Sequence, residues 1–229
     1  MSQKPSRLRI EHLKTIDPLT ENQKKAFTSF RKGSHLVLSG AAGTGKTFIG
    51  LYLALEAVLQ NIKEYQRVVI VRSAVPTRDI GYLPGTLEEK EEAYKLPYKS
   101  IINDLFDDGS AWNKLHSTKN MEFMTTSFVR GLTINNAIVI IDEAQNCNYH
   151  ELCSIITRLG DSCKFIVCGD YLQSDFTRQN EKDGIKLFTT ILEHMKYFDV
   201  IEFEWKDIVR SNLVRDFLMT KDLVERGKL

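Results

Sequence analysis

The chain has 229 residues, with 31 basic against 30 acidic side chains and a formal net charge of +1. At about 150 residues per domain unit this is one to two domains, enough to bury a full core without disulfides or metal. The charge balance excludes a histone-like coat for nucleic acid, though not a local basic groove, and one domain cannot house a machine that needs two nucleotide-hydrolysing domains in one chain.

The four cysteines (Cys147, Cys153, Cys163 and Cys168) have no C-x-x-C spacing and read as small buried hydrophobes in a reducing compartment. The five histidines are scattered and form no metal-binding pair. The N-terminus is polar and carries no secretory signal pattern, and the longest apolar runs, such as 137–141, are strand length and far short of a membrane span. The expected location is cytoplasmic, with no membrane contact.

Along the chain, a polar arm over 1–18 leads into a helix predicted at 20–31 and a strand at 35–39. A helix at 46–60 and a strand at 67–72 follow. The stretch 74–120 has little strand signal and reads as an insertion of turns and helix, with its helix near 88–106, on one rim of the sheet. Its acidic run at 88–92 reads as a solvated helix face. Strands at 121–125, 137–142, 164–169 and 199–203 then alternate with helices at 149–159, 183–194 and 211–219. Several strands lack polar alternation, as strands covered on both faces do. The whole reads as α/β, a mainly parallel sheet between two helical layers, with 19–229 forming a single domain.

The strongest signal is Gly40-Ala41-Ala42-Gly43-Thr44-Gly45-Lys46-Thr47, which satisfies G-x-x-x-x-G-K-[ST] between a strand and a helix. Gly40, Gly43 and Gly45 let the backbone wrap a polyphosphate and turn N–H groups inward, and the helix adds its positive end. Lys46 is expected to reach the β- and γ-phosphates, and the Thr47 hydroxyl to ligate Mg²⁺, an ion that keeps most of its waters. Phe48 closes the nucleotide-binding run.

A second signal is AIVIID followed by Glu143. Asp142 ends an apolar strand, so its carboxylate belongs at the carboxyl rim where open α/β sheets bind ligands, beside the Mg²⁺ waters. Glu143 is placed to orient or deprotonate an attacking water. A third is Gly169-Asp170-Tyr171-Leu172-Gln173, in which Gln173 is suited to sense a γ-phosphate.

Together these residues resemble superfamily-1 helicase-type ATPases, and more closely the PhoH family of phosphate-starvation-induced ATPases in its short phage-type form. The resemblance runs from about 19 to 218. It is carried by GAAGTGKT (40–47), RSAV (72–75), GYLPGTLEEK (81–90), SFVRGLTINNAIVIIDEAQN (127–146), ITRLG (156–160), GDYLQSD (169–175) and DIVRSNLV (207–214). It implies a three-layer RecA-like P-loop NTPase that hydrolyses ATP with Mg²⁺. It also implies that Gln23 reads adenine, that Arg72 and Ser73 lie where related enzymes contact nucleic acid, and that Arg130, Arg158, Arg178 or Arg210 serves as γ-phosphate sensor or finger, with Arg210 the first choice. RNA or single-stranded DNA is the implied partner. Because no second ATPase domain remains to wall the γ-phosphate, the neighbour is expected to be another copy, in a hexameric ring. The chain departs from the family at Leu132, where RGLT at 130–133 stands in place of RGRT and a family arginine is missing. Two alternatives are a nucleotide-gated scaffold with little turnover and, with less support, a small-molecule kinase.

Overall fold

Runs of β-branched residues without polar alternation demand cover on both faces, and the sheet provides it. The computed structural model describes residues 7–73, 87–170 and 179–225. In chain order the elements are α1 (Glu21–Arg31), β1 (His35–Gly40), α2 (Lys46–Gln60), β2 (Arg67–Arg72), α3 (Leu87–Phe106) and α4 (Ala111–Ser117). There follow β3 (Met121–Thr125), α5 (Thr126–Val129), β4 (Ala137–Asp142), α6 (Tyr149–Ile156), β5 (Lys164–Gly169), α7 (Gln179–His194), β6 (Phe198–Phe203) and α8 (Asn212–Glu225). All the strands expected from the sequence form, in one sheet of order β3-β2-β4-β5-β1-β6, and every pairing is parallel.

The pleat sends successive side chains to opposite faces. In β4, Ile138 and Ile140 pack under one helical layer while Ala137, Val139 and Ile141 pack under the other. The first layer holds α1 to α4, with Phe27, Leu53, Ile102 and Trp112 buried. The second holds α5 to α7, with Val129, Leu152 and Phe188 buried. The chain leaves β1 into the first layer and leaves β5 into the second. These two strands are neighbours, so a crevice opens between their carboxyl ends, the switch point at which α/β sheets take ligands.

Two segments are more integral than their sequence suggests. The described part of 74–120 is the crossover from β2 to β3, and Tyr98, Ile102, Leu105, Ala111, Trp112 and Leu115 are buried in the first layer. What masks this in the sequence is the charged outer face of α3, where Glu92 pairs with both Lys95 and Lys99. The arm is likewise packed down: Leu8 and Leu13 are buried, and the Lys14 N–H donates to the Leu105 carbonyl at 2.9 Å. The predicted helix at 149–159 ends at Ile156, and α8 continues to Glu225. No helix among the described residues is long and apolar enough to cross a membrane.

Trp112→Ala is therefore expected to cost about 3–5 kcal/mol in urea unfolding. Lys99→Ala on the outer face of α3 should change stability by no more than about 0.5 kcal/mol. A Trp112→Ala effect as small as that of Lys99→Ala would return α4 to the status of a surface insertion.

Candidate nucleotide-binding site

The loop after β1 starts at a position only glycine can fill. Gly40 has φ +113°, and a Cβ there would lie 2.0 Å from the Phe203 carbonyl oxygen of the adjoining strand β6. Gly45 caps α2 in the left-handed region at φ +86°, and the first turn of α2 has no acidic residue to mask its positive end. The Thr44 hydroxyl closes the loop by donating to the Ala41 carbonyl at 2.9 Å. Lys46 lies across it, its Nζ donating to the carbonyls of Gly40 and Ala41, both at 2.7 Å. Burial pushes the Lys46 pKa below the ordinary lysine value, and the charges of Asp170, Glu143 and Asp142 pull against that.

Opposite the loop, β4 delivers Asp142, 5% exposed. Its Oδ1 accepts from the Thr47 hydroxyl at 2.7 Å and its Oδ2 from the Tyr98 hydroxyl at 2.9 Å. A hydroxyl and a carboxylate at this spacing are the hard oxygen donors that suit Mg²⁺, so the pair fits the ion implied by the sequence. Glu143 follows at φ +51°, a left-handed backbone that a glutamate rarely adopts. Burial and then the neighbouring Asp142 charge push its pKa up, while Arg72, Gln145 and Lys46 oppose the shift. Gln145 holds this acid in place: its Nε2 donates to Glu143, and its Oε1 accepts from the Asp170 N–H at 3.0 Å, tying the ends of β4 and β5 together.

These groups border one cleft of about 1010 Å³ that runs from the loop to Thr15 of the arm and to Leu19 just after it. The acid end is polar, and Ile16, Phe27, Ile49 and Ile101 wall the other end. Gln23 sits there, held by the Thr20 cap of α1. Its Oε1 accepts from the Leu19 N–H at 2.7 Å and its Nε2 donates to the Thr44 carbonyl at 3.2 Å. One amide hydrogen and one oxygen lone pair remain. Phe48 also borders the cleft, as does Arg210, whose stem crosses Gly43.

Not every residue singled out in the sequence lies here. Arg72 turns inward, its charge near the Tyr98 hydroxyl and its guanidinium 5.3 Å from the Tyr94 ring centre, and it borders the nucleotide cleft. Ser73 is buried. Arg130 is exposed and Arg158 half-buried, and neither borders the cleft. Gln173 and Arg178 lie outside the described residues. The structure adds Tyr98, Gln145 and Asp170. Asp170 is visible in sequence as an acid ending a strand. Gln145 is recognisable only once β4 and β5 are known to be neighbours, and Tyr98 has no local signal because it reaches Asp142 from a helix 44 residues away.

A glycine loop between strand and helix, faced across an intervening strand by a buried aspartate, defines a phosphate-loop nucleotide-binding protein. The PhoH-like protein family matches residues 15–221, and the chain belongs to that family. It is 34% identical over 206 residues to a PhoH-like protein of Mycobacterium leprae, covering 90% of this chain and 58% of that protein. It is 29% identical over 210 residues to one of Bacillus subtilis, covering 91% and 65%. The chain thus spans less than two thirds of the length of each. Among solved structures it is similar to the UvsW helicase from bacteriophage T4, at a TM-score of 0.47 and 15% identity, covering 88% of this chain and 64% of that one.

The raised Glu143 pKa has a sign. The folded state favours the protonated acid, so the stability linked to this group is full below the ordinary carboxyl value and is lost as pH rises through the raised one. In thermal unfolding of the nucleotide-free protein, Glu143→Gln is expected to raise Tm above wild type at pH 8, with the gap closing towards pH 4. A gap that does not change with pH would contradict the shift.

Proposed function

We propose that the protein is a Mg²⁺-dependent ATPase, with 19–229 as its single RecA-like domain, hydrolysing ATP to ADP and phosphate. The observation that supports this is the Thr47–Asp142 hydrogen bond with Glu143 beside it on the same cleft as the phosphate loop; in this reading the first two residues hold the metal and the third activates water.

In this reading the loop N–H groups and the α2 end receive the polyphosphate, and Lys46 exchanges the Gly40 and Ala41 carbonyls for phosphate oxygens. Thr47 and Asp142 would hold Mg²⁺, which when bound would neutralise phosphate charge. Glu143 accepts a proton from the attacking water, and burial, which raises its pKa, makes it a stronger base for that task. Gln23 offers its remaining N–H and lone pair to adenine, and Gln173 senses the γ-phosphate. Arg210 supplies charge from within the chain, while Arg130, Arg158 or Arg178 of a neighbouring copy completes the site in a hexameric ring. Hydrolysis is coupled to RNA or single-stranded DNA. Arg72 and Ser73 are the proposed nucleic-acid contact, and Arg72, which also borders the nucleotide cleft, would link the two ligands.

Phosphate release from ATP without an acceptor should be measurable in wild type and rise with single-stranded RNA or DNA. Lys46→Ala and Glu143→Gln should each lower it by at least about 100-fold, and Glu143→Gln should still bind ATP. Turnover retained in both variants would overturn the assignment, and phosphate transfer only to an added acceptor would favour a kinase.

A further inference from the structure

We infer that Tyr98 is a positioning residue for the metal: its hydroxyl holds the Asp142 carboxylate in the one orientation that leaves the other oxygen facing Thr47. This rests on the proposed Mg²⁺–nucleotide reading of the site.

The side chains involved are few and their proton arrangement is forced. Asp142 is nearly enclosed, and its two oxygens have separate partners: Oδ1 takes the Thr47 hydroxyl at 2.7 Å and Oδ2 takes the Tyr98 hydroxyl at 2.9 Å. A carboxylate can rotate about its terminal bond, and a fixed donor on one oxygen removes that freedom. Tyr98 is 1% exposed, and its ring is packed among Ile102, Leu105 and the sheet, so the hydroxyl cannot wander. The phenol proton is given to the Asp142 carboxylate, and the Arg72 charge lies beside the same hydroxyl. Arg72 is steadied in turn by the Tyr94 ring, one helical turn before Tyr98 on α3. The chain Tyr94–Arg72–Tyr98–Asp142 therefore links α3 and β2 to the metal position. Of these contacts only the Thr47–Asp142 hydrogen bond reaches the phosphate loop, so loss of the Tyr98 hydroxyl should act on the metal and leave the grip on phosphate intact.

The test is Tyr98→Phe, which keeps the ring and removes only the hydroxyl. Binding of a fluorescent ADP is titrated against Mg²⁺, and separately measured in EDTA. Supporting partners of metal ligands typically contribute about 10–100-fold in metal affinity, so the half-saturating Mg²⁺ concentration should rise by about tenfold or more. Nucleotide affinity in EDTA should match wild type. In an Asp142→Asn background the same Tyr98→Phe change should leave the Mg²⁺ titration where it was, because no carboxylate remains to orient. An unchanged Mg²⁺ dependence in Tyr98→Phe would overturn the inference. So would an equal loss of affinity with and without metal, which would make the hydroxyl a general prop of the cleft. If wild type itself binds ADP with no response to Mg²⁺, the metal reading falls and takes this inference with it.

Discussion

The Thr47–Asp142 hydrogen bond joins residues 95 positions apart, and the placing of the rest of the molecule follows from what is needed to make it. Thr47 lies one residue into α2, so the loop must turn out of β1 with the left-handed glycines it has. Asp142 ends β4, so β4 must be parallel to β1 and level with it. One strand, β5, separates them, and its own carboxyl end brings Gly169 and Asp170 between the two. Parallel strands in turn need helical crossovers, which cover both faces and bury the strands on either side.

That geometry concentrates charge where water is scarce. Lys46, Asp142, Glu143 and Asp170 share the rim, and burial works against the charged forms of Lys46 and Glu143. The protein satisfies these groups internally: the lysine on loop carbonyls, the aspartate on two hydroxyls, the glutamate on Gln145. The carbonyl contacts of the lysine are ones that phosphate oxygens can replace, and the left-handed backbone at Glu143 is the strain such a site stores.

The sheet was legible in the sequence because its strands are short, apolar and β-branched, and the loop was legible because its chemistry permits little substitution. Asp142 and Glu143 could be read for the same reason, as acids that follow a buried strand. The contribution of α3 could not. Its inner residues Tyr98, Ile102 and Leu105 belong to the core, but a charged outer face and Pro97 within the helix dilute the periodic signal. Nor could local spacing reveal that Arg72 faces the nucleotide cleft, because the groups that turn it inward, Tyr94 and Tyr98, come from that same helix. Gln145 is the intermediate case, a neighbour of the acid in sequence whose role depends on β5 lying alongside.

The central claim is that the phosphate loop and Asp142 form one metal–nucleotide site. A crystal structure grown with Mg²⁺ and a non-hydrolysable ATP analogue tests it most directly. The account predicts the triphosphate along residues 40–47, Lys46 withdrawn from the Gly40 and Ala41 carbonyls onto phosphate oxygens, and the metal ligated by the Thr47 hydroxyl with Asp142 beside it. A nucleotide bound elsewhere, or a metal with no contact to Thr47, would contradict it.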